Sequence, residues 1–307
     1  MASLPQLWPK TKLARNEAKW FYIFISPWII GFLGLTLYPM VASAVYSFAE
    51  YNIVKMQFIG VTNFVNLFQD QLFYTALGVT AYYTVVAVPL GIVLALVVAL
   101  LLNQRVPLLS FWRTIYYLPS VISGVAVAIL WKWVMNPQFG LFNYVLSVFG
   151  IPGPRWFWDD NWVIPAFWIM SIWGIGGSMV IYLAGLQGVP TALYEAAEID
   201  GANSVQRFFN ITLPMISPVL LFSLVTNMIG ALQIFTQVYV ISDKGGPNYH
   251  SLVYVLYLFT NAFRWFRFGY ASALAWILFI IIVILTYFML KVSTSMVYYE
   301  SPGGGGI

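Results

Sequence analysis

Pro190-Thr-Ala-Leu-Tyr-Glu-Ala-Ala-Glu-Ile-Asp200-Gly-Ala-Asn-Ser-Val-Gln-Arg-Phe-Phe-Asn210-Ile-Thr-Leu-Pro214 is the one long hydrophilic, helix-rich interruption in a chain that is otherwise mostly lipid-soluble. Pro190 is tolerated in a first helical turn, and Leu193 to Asp200 are mostly good helix formers. Gly201 suits the left-handed residue that ends a helix, so a short helix is predicted to stop there. Asn203 or Ser204 can cap a second short helix, with Gln206 placed three residues after Asn203 as in a capping box. Pro214 then opens the next long apolar element. The stretch therefore reads as a bent pair of short helices joining two membrane spans.

The surrounding composition sets the medium. Of 307 residues 61% are hydrophobic and only 8% charged, against about 25% charged in soluble domains. Such a chain has room for several spans of roughly 20 residues. No large soluble domain fits beside them. The net charge of +4 is small and the basic residues are scattered, which excludes nucleic acid as a partner class and leaves membrane lipid as the surroundings. The absence of cysteine removes thiolate metal sites, disulfides and thiol catalysis.

The predicted fold class is all-α, a polytopic membrane protein with about six transmembrane helices. The spans are read at about Trp20–Phe48, Thr75–Leu102, Thr114–Val134, Trp162–Leu186, Met215–Ile241 and Ala271–Leu290. Three domains follow: an N-terminal cytoplasmic segment (1–19), a transmembrane domain (20–291) whose loop 187–214 holds the opening stretch, and a Gly-rich flexible tail (292–307). Lys10, Lys12, Arg15 and Lys19 precede the first span and only Lys55 follows it, which places the N-terminus in the cytoplasm. An even number of spans brings the C-terminus to the same side. The long central loop then lies inside, and 50–74, 136–161 and 242–270 lie outside as connections. Trp131-Lys132-Trp133 reads as an interfacial belt with a snorkelling lysine.

Few residues are placed to do chemistry. No Gly-x-x-x-x-Gly-Lys-Ser/Thr phosphate loop occurs, so the chain has no such device for holding ATP. All Asp and Glu residues fall in connections or at span ends, whereas ion-coupled carriers usually need an ionisable group inside the membrane. His250, the single histidine, lacks a second ligand at metal spacing, and no metal site is predicted. Gly174-x-Gly176-Gly177 has no strand before it and is not a nucleotide fingerprint. Ser171, Gly174, Ser178, Tyr182 and Gly185 instead share a helical face, read as close helix packing in preference to ligand contact.

In the fifth span, Ser223, Thr226, Asn227, Gly230, Gln233 and Gln237 project into an arc of roughly 120° on an ideal helix. Facing lipid would be costly. The arc is either the wall of a water-filled pathway, where amides can bond substrate hydroxyls, or an interhelical hydrogen-bond seam. No Lys or Arg lies deep in a span, so neutral saccharides or polyols suit the chain better than anions.

Glu195-Ala196-Ala197, then Gly201 after three intervening residues, and Ile211-x-Leu213-Pro214 after nine more resemble the EAA loop of permease subunits in binding-protein-dependent ABC importers. Leu37-Tyr38-Pro39, Phe58 to Phe64, Phe111 to Thr114, Leu118-Pro119 and Gly245-Gly246-Pro247 are similar to the carbohydrate-uptake branch, and to the first of its two paired subunits. The resemblance implies a non-catalytic permease in a bacterial inner membrane that imports a saccharide or related polyol. It further implies a second homologous permease, a cytoplasmic ATPase dimer that uses ATP and Mg, and an external substrate-binding protein. Glu195, Ala196, Ala197, Gly201, Ile211, Leu213 and Pro214 would then couple the chain to the ATPase. No cofactor is expected in the chain itself. The remaining alternative is a secondary carrier or channel working without ATP.

Overall fold

The computed structural model describes residues 11–104 and 107–293. Lys10, Arg105 and the tail from 294 onward, to which the charge count and the flexible-tail reading refer, lie outside the described residues. Four helices are long and apolar enough to cross a membrane: Lys12–Ser47, Gln71–Leu102, Ser217–Ile241 and Phe268–Ser293. Two bent pairs bring the number to six. One is Leu109–Val121 with Gly124–Val134, and the other is Val163–Ile172 with Gly176–Gln187.

Several boundaries differ from the sequence reading, each for a local reason. The first helix begins at Lys12, where Thr11 accepts a hydrogen bond from the Ala14 amide at 3.2 Å, so it includes Lys12 to Lys19 of the expected N-terminal segment. It runs on through a π-helical turn at Phe32–Leu37.

The third span is not one helix. Its halves meet at 101° because Pro119 brings no amide proton to the helix ladder and Ser123 caps a new helix by accepting from the Ala126 amide at 3.5 Å. In the fourth span the helix stops at Ile172 and restarts at Gly176 with a 44° bend. The fifth helix ends at Leu232 and resumes only at Thr236. Its root also differs, since a π-helical turn at Phe208–Thr212 precedes Pro214 and the long helix starts at Ser217.

The expected outer connections are folded. An antiparallel hairpin pairs Ala49–Tyr51 with Met56–Phe58, and the helix Thr62–Gln69 follows. Asn63 donates from Nδ2 to the carbonyls of Ser47 at 3.0 Å and Ala49 at 2.9 Å, which fastens the hairpin to the end of the first helix. The 242–270 connection includes the buried helix Tyr254–Phe259. Its Tyr254 amide donates to Thr80 Oγ1 at 2.8 Å and its Tyr254 hydroxyl to the Leu274 carbonyl at 2.8 Å. Trp131 is likewise a core residue, edge-on to Phe142 and Trp173, while its neighbour Trp133 keeps the exposed position expected of a belt.

Asp70 caps the second long helix through the Leu72 amide at 2.9 Å and accepts from the hydroxyls of Tyr257 and Tyr270. Burial alone would raise its pKa, but those hydroxyls and the Leu72 and Phe73 amides outweigh it and hold the carboxyl below its ordinary value.

The apolar interior is divided in two. One cluster gathers Leu67, Phe73, Phe167, Tyr254 and Leu274 at the hairpin end. The other gathers Ala95, Ala99, Leu102, Met179, Leu186 and Ile216 beside the Pro190–Pro214 stretch.

Candidate functional site

Within the Pro190–Pro214 stretch, the first helix runs Thr191–Ile199 and ends at Gly201, whose φ is +78°. The Gly201 amide donates to the Glu198 carbonyl at 3.0 Å and the Ala202 amide to that of Ala197 at 2.8 Å, the paired bonds of a Schellman stop. Asn203 Oδ1 then accepts from the Gln206 amide at 2.9 Å, and Gln206 Oε1 from the Asn203 amide at 2.8 Å. The predicted capping box is therefore present.

Two further contacts lock the bend. Glu198 pairs with Arg207 across the turn, and the Tyr194 and Thr212 hydroxyls lie 2.9 Å apart. These four residues were not singled out in the sequence, because partners nine and eighteen positions apart leave no periodic trace.

At the tip, Glu195 and Ala196 are exposed and Ala197 is half-buried. Beside them Ile199 is 88% exposed and Val205 65% exposed. Apolar groups so placed, among carboxylates, form a surface suited to covering by a partner. At the root, Ile211, Leu213 and Pro214 are half-buried. Ile211 packs with Tyr194 and Met215 against the cluster of Leu186, Val189 and Ile216. The tip and root residues of the predicted set thus belong to one body joined to the second and fourth spans.

A cavity of about 550 Å³ lies where the breaks of the third, fourth and fifth spans converge. Its wall includes Pro119, Ser120 and Ile122 from the first break, Trp173, Gly174 and Ile175 from the second, and Gln233, Ile234 and Phe235 from the third. Non-helical backbone at membrane depth is tolerated where it lines such a space. None of the lining residues carries a charge.

Of the arc expected in the fifth span, Thr226, Asn227, Gly230, Gln233 and Gln237 line this cavity. They do not form the single helical face predicted, since the helix is interrupted after Leu232. The Gln233 and Gln237 side-chain amides make no hydrogen bond among the described residues.

Ser223 is the exception. It is 2% exposed and accepts from the Tyr182 hydroxyl at 2.7 Å and from Asn227 Nδ2 at 3.1 Å. Asn227 also reaches Ser178 Oγ at 3.4 Å. Both readings of the arc therefore have a share, with a seam at Ser223 and a cavity wall beyond it.

Ser171, Gly174 and Ser178, expected to serve helix packing, line the cavity instead, whereas Gly185 does pack, with Val219 Cγ2 3.2 Å from where a Cβ would stand. Pro119 and Gly174-x-Gly176-Gly177 were the signals by which two of the breaks could have been found. The third has neither Pro nor Gly.

The seam gives a stability test. Ser223→Ala leaves the buried Tyr182 hydroxyl without its acceptor, which costs about 1–3 kcal/mol. The variant is expected to lose folded protein at a lower temperature in detergent, and Tyr182→Phe in the same chain to recover part of the loss. Equal melting of Ser223→Ala and the parent would show that the bond contributes nothing.

Residues 87–297 match the family model described as binding-protein-dependent transport system inner membrane component. A probable ABC transporter permease of Bacillus subtilis, YesP, is 41% identical over 95% of this chain and 96% of its own length. The lactose transport system permease LacF of Rhizobium radiobacter is 34% identical over 89% of this chain and 95% of its own. The trehalose/maltose permease MalF of Thermococcus litoralis is 32% identical over 92% and 96% respectively. Among solved structures, a chain of a bacterial alginate ABC transporter, crystallised with its alginate pentasaccharide-bound periplasmic protein, superposes with a TM-score of 0.83 at 26% identity, covering 94% of this chain and 97% of that one.

Proposed function

The chain belongs to the family of inner membrane components of binding-protein-dependent transport systems, and from that membership we propose that it is the permease subunit of an ABC importer for a neutral saccharide or related polyol. The observation that carries the cargo class is the cavity at the three breaks. Hydroxyls and amides from Ser120, Ser171, Ser178, Asn227, Gln233 and Gln237 stand there beside Tyr83 and Trp173, with no fixed charge on the wall. A sugar offers many hydroxyls to amides and weakly polar C–H faces to aromatic rings. A carboxylated sugar would need a counter-charge that this wall lacks.

Energy enters from a partner. In this reading the chain performs no catalysis, and ATP and Mg are handled by a cytoplasmic ATPase dimer that seats on the exposed tip around Glu195, Ile199 and Val205. Gly201 supplies the bend, and Ala196 and Ala197 the small surface beside the anchor. Ile211, Leu213 and Pro214 pass the displacement to the lower apolar cluster. The three breaks then let the lower halves of the spans tilt against the upper cluster, turning the cavity from one side of the membrane to the other. A second, homologous permease completes the pathway, both termini lie in the cytoplasm, and an external binding protein presents the sugar.

The reading is tested in the complete transporter in proteoliposomes by following uptake and ATP hydrolysis with neutral oligosaccharides and with an oligouronate of equal length. Neutral sugars are expected to stimulate both, and the uronate neither. Uptake driven by a proton or sodium gradient without ATP would overturn the reading.

A further inference from the structure

A second pocket, of about 1050 Å³, opens at the hairpin end of the molecule. It shares no lining residue with the cavity and is far from the Pro190–Pro214 stretch. Asp70, on its wall, caps the start of the Gln71–Leu102 helix, while Ala95, Ala99 and Leu102 at the other end of that helix pack beside the stretch. At 1.5 Å per residue those ends stand roughly 45–50 Å apart. If the stretch is cytoplasmic, this pocket faces outward, so the inference rests on the orientation and cargo class proposed above.

Its wall combines rings with amides and carboxylates. Tyr51, Trp265 and Phe266 supply rings, and Asn52, Asn66 and Glu50 supply polar groups. Trp265 is 46% and Phe266 53% exposed, so both rings can be reached from the pocket. The Asn66 amide makes no hydrogen bond among the described residues. Arg267 stands with its guanidinium 5.7 Å from the Trp265 ring centre and offsets one of the two wall carboxylates, Glu50 and Asp70.

The frame around these groups is fixed. Asp70 is fully engaged by two tyrosine hydroxyls and the Leu72 amide, and Asn63 by two carbonyls. Gly269 lets the start of the last helix lie against the Ala49 carbonyl, where any Cβ would overlap it.

Two wall residues are held in the left-handed region, Ile53 at φ 74° and Phe266 at φ 54°. Both are costly there, Ile53 most because it is β-branched. Such outliers gather where a site imposes its own geometry. A rigid pocket of accessible rings, with the Asn66 amide unengaged and carboxylates able to accept from hydroxyls, suits the ring faces and hydroxyls of a sugar.

We propose that this pocket is a second saccharide site, separate from the cavity, that holds a neutral sugar unit at the outer face through Trp265, Phe266 and Asn66. The experiment uses the assembled transporter in nanodiscs without its binding protein. Maltotriose, lactose and arabinotriose serve as probes, with saturation-transfer NMR as the readout. Trp265→Ala with Asn66→Ala is expected to weaken binding of at least one probe about tenfold, equivalent to about 1.4 kcal/mol. Trp265→Phe, which keeps a ring, should retain most of it. Asn227→Leu with Gln237→Leu, in the cavity, should leave this component unchanged.

Binding that vanishes with the cavity pair and ignores the outer pair overturns the second site. So does binding that no probe shows. In either of those cases, sugar-stimulated ATP hydrolysis in the complete system would leave the cargo reading standing, and its absence would remove both.

Discussion

Gly201→Val is expected to abolish sugar-stimulated ATP hydrolysis and uptake while leaving the chain in the membrane. The φ of +78° at Gly201 is one that a β-branched residue reaches only with difficulty. The left-handed region costs an ordinary residue roughly 1–2 kcal/mol, and more for valine, which loses rotamer freedom as well.

Nothing lies within 4 Å of where a Cβ at Gly201 would stand, so the cost is conformational and not a clash. That distinction grades the substitutions. Gly201→Asn, which tolerates the left-handed region, should keep most activity. Gly201→Asp should fall lower, since it adds a carboxylate beside Asp200. Gly201→Val should fall furthest, because relaxing φ unseats the paired bonds to Glu198 and Ala197 and swings the Asn203 cap away from the first helix. Uptake and stimulated hydrolysis at matched expression give the measurement. Equal activity across the series would remove this bend from the coupling path.

Gly176→Ala should have an effect of similar size through packing instead of backbone preference. A Cβ there would overlap the Tyr116 carbonyl oxygen and lie 2.8 Å from Tyr117 Cα. Those are backbone atoms of the helix before the 101° bend, so no side-chain rotation relieves the contact. Overpacking of this kind costs roughly 1–3 kcal/mol, sometimes more. The strain falls on the two broken spans that form one side of the cavity. The variant is expected to melt earlier in detergent and to lose uptake even below its melting temperature. Gly177→Ala is the control, because nothing lies within 4 Å of a Cβ at that neighbouring position. Parent-like melting and uptake in Gly176→Ala would mean that the two helices are not held at this separation.

Features written in short-range pattern were legible in the sequence. The apolar runs gave the membrane class, the Glu195-to-Pro214 motif gave the family resemblance, and Gly201, Asn203 and Gln206 gave the turn and cap of the central stretch, since each acts on neighbours within a few residues. What escaped depends on partners far along the chain. The Tyr182–Ser223 bond spans 41 positions, and the Tyr254 amide finds Thr80 across 174. A periodicity argument could place Ser223 on a polar face but could not tell a seam from a cavity wall.

The helix Tyr254–Phe259 inside the 242–270 connection leaves no sequence signal, because it is short and apolar without flanking caps. The break at Gln233–Phe235 was missed for a related reason. The helix yields there without Pro or Gly, closing with turn-like bonds from the Gln233 and Ile234 amides to Gly230 and Ala231, each 3.3 Å long.

Those three interruptions bear on how such a chain diversifies. Each helix end leaves main-chain carbonyls or amides without helical partners, and here the ends meet around one cavity. Part of the cavity's polarity is therefore independent of which side chains occur. A lineage can exchange Ser120, Ser178 or Gln237 and alter which sugar fits without ever passing through an ancestor whose cavity is greasy and dead.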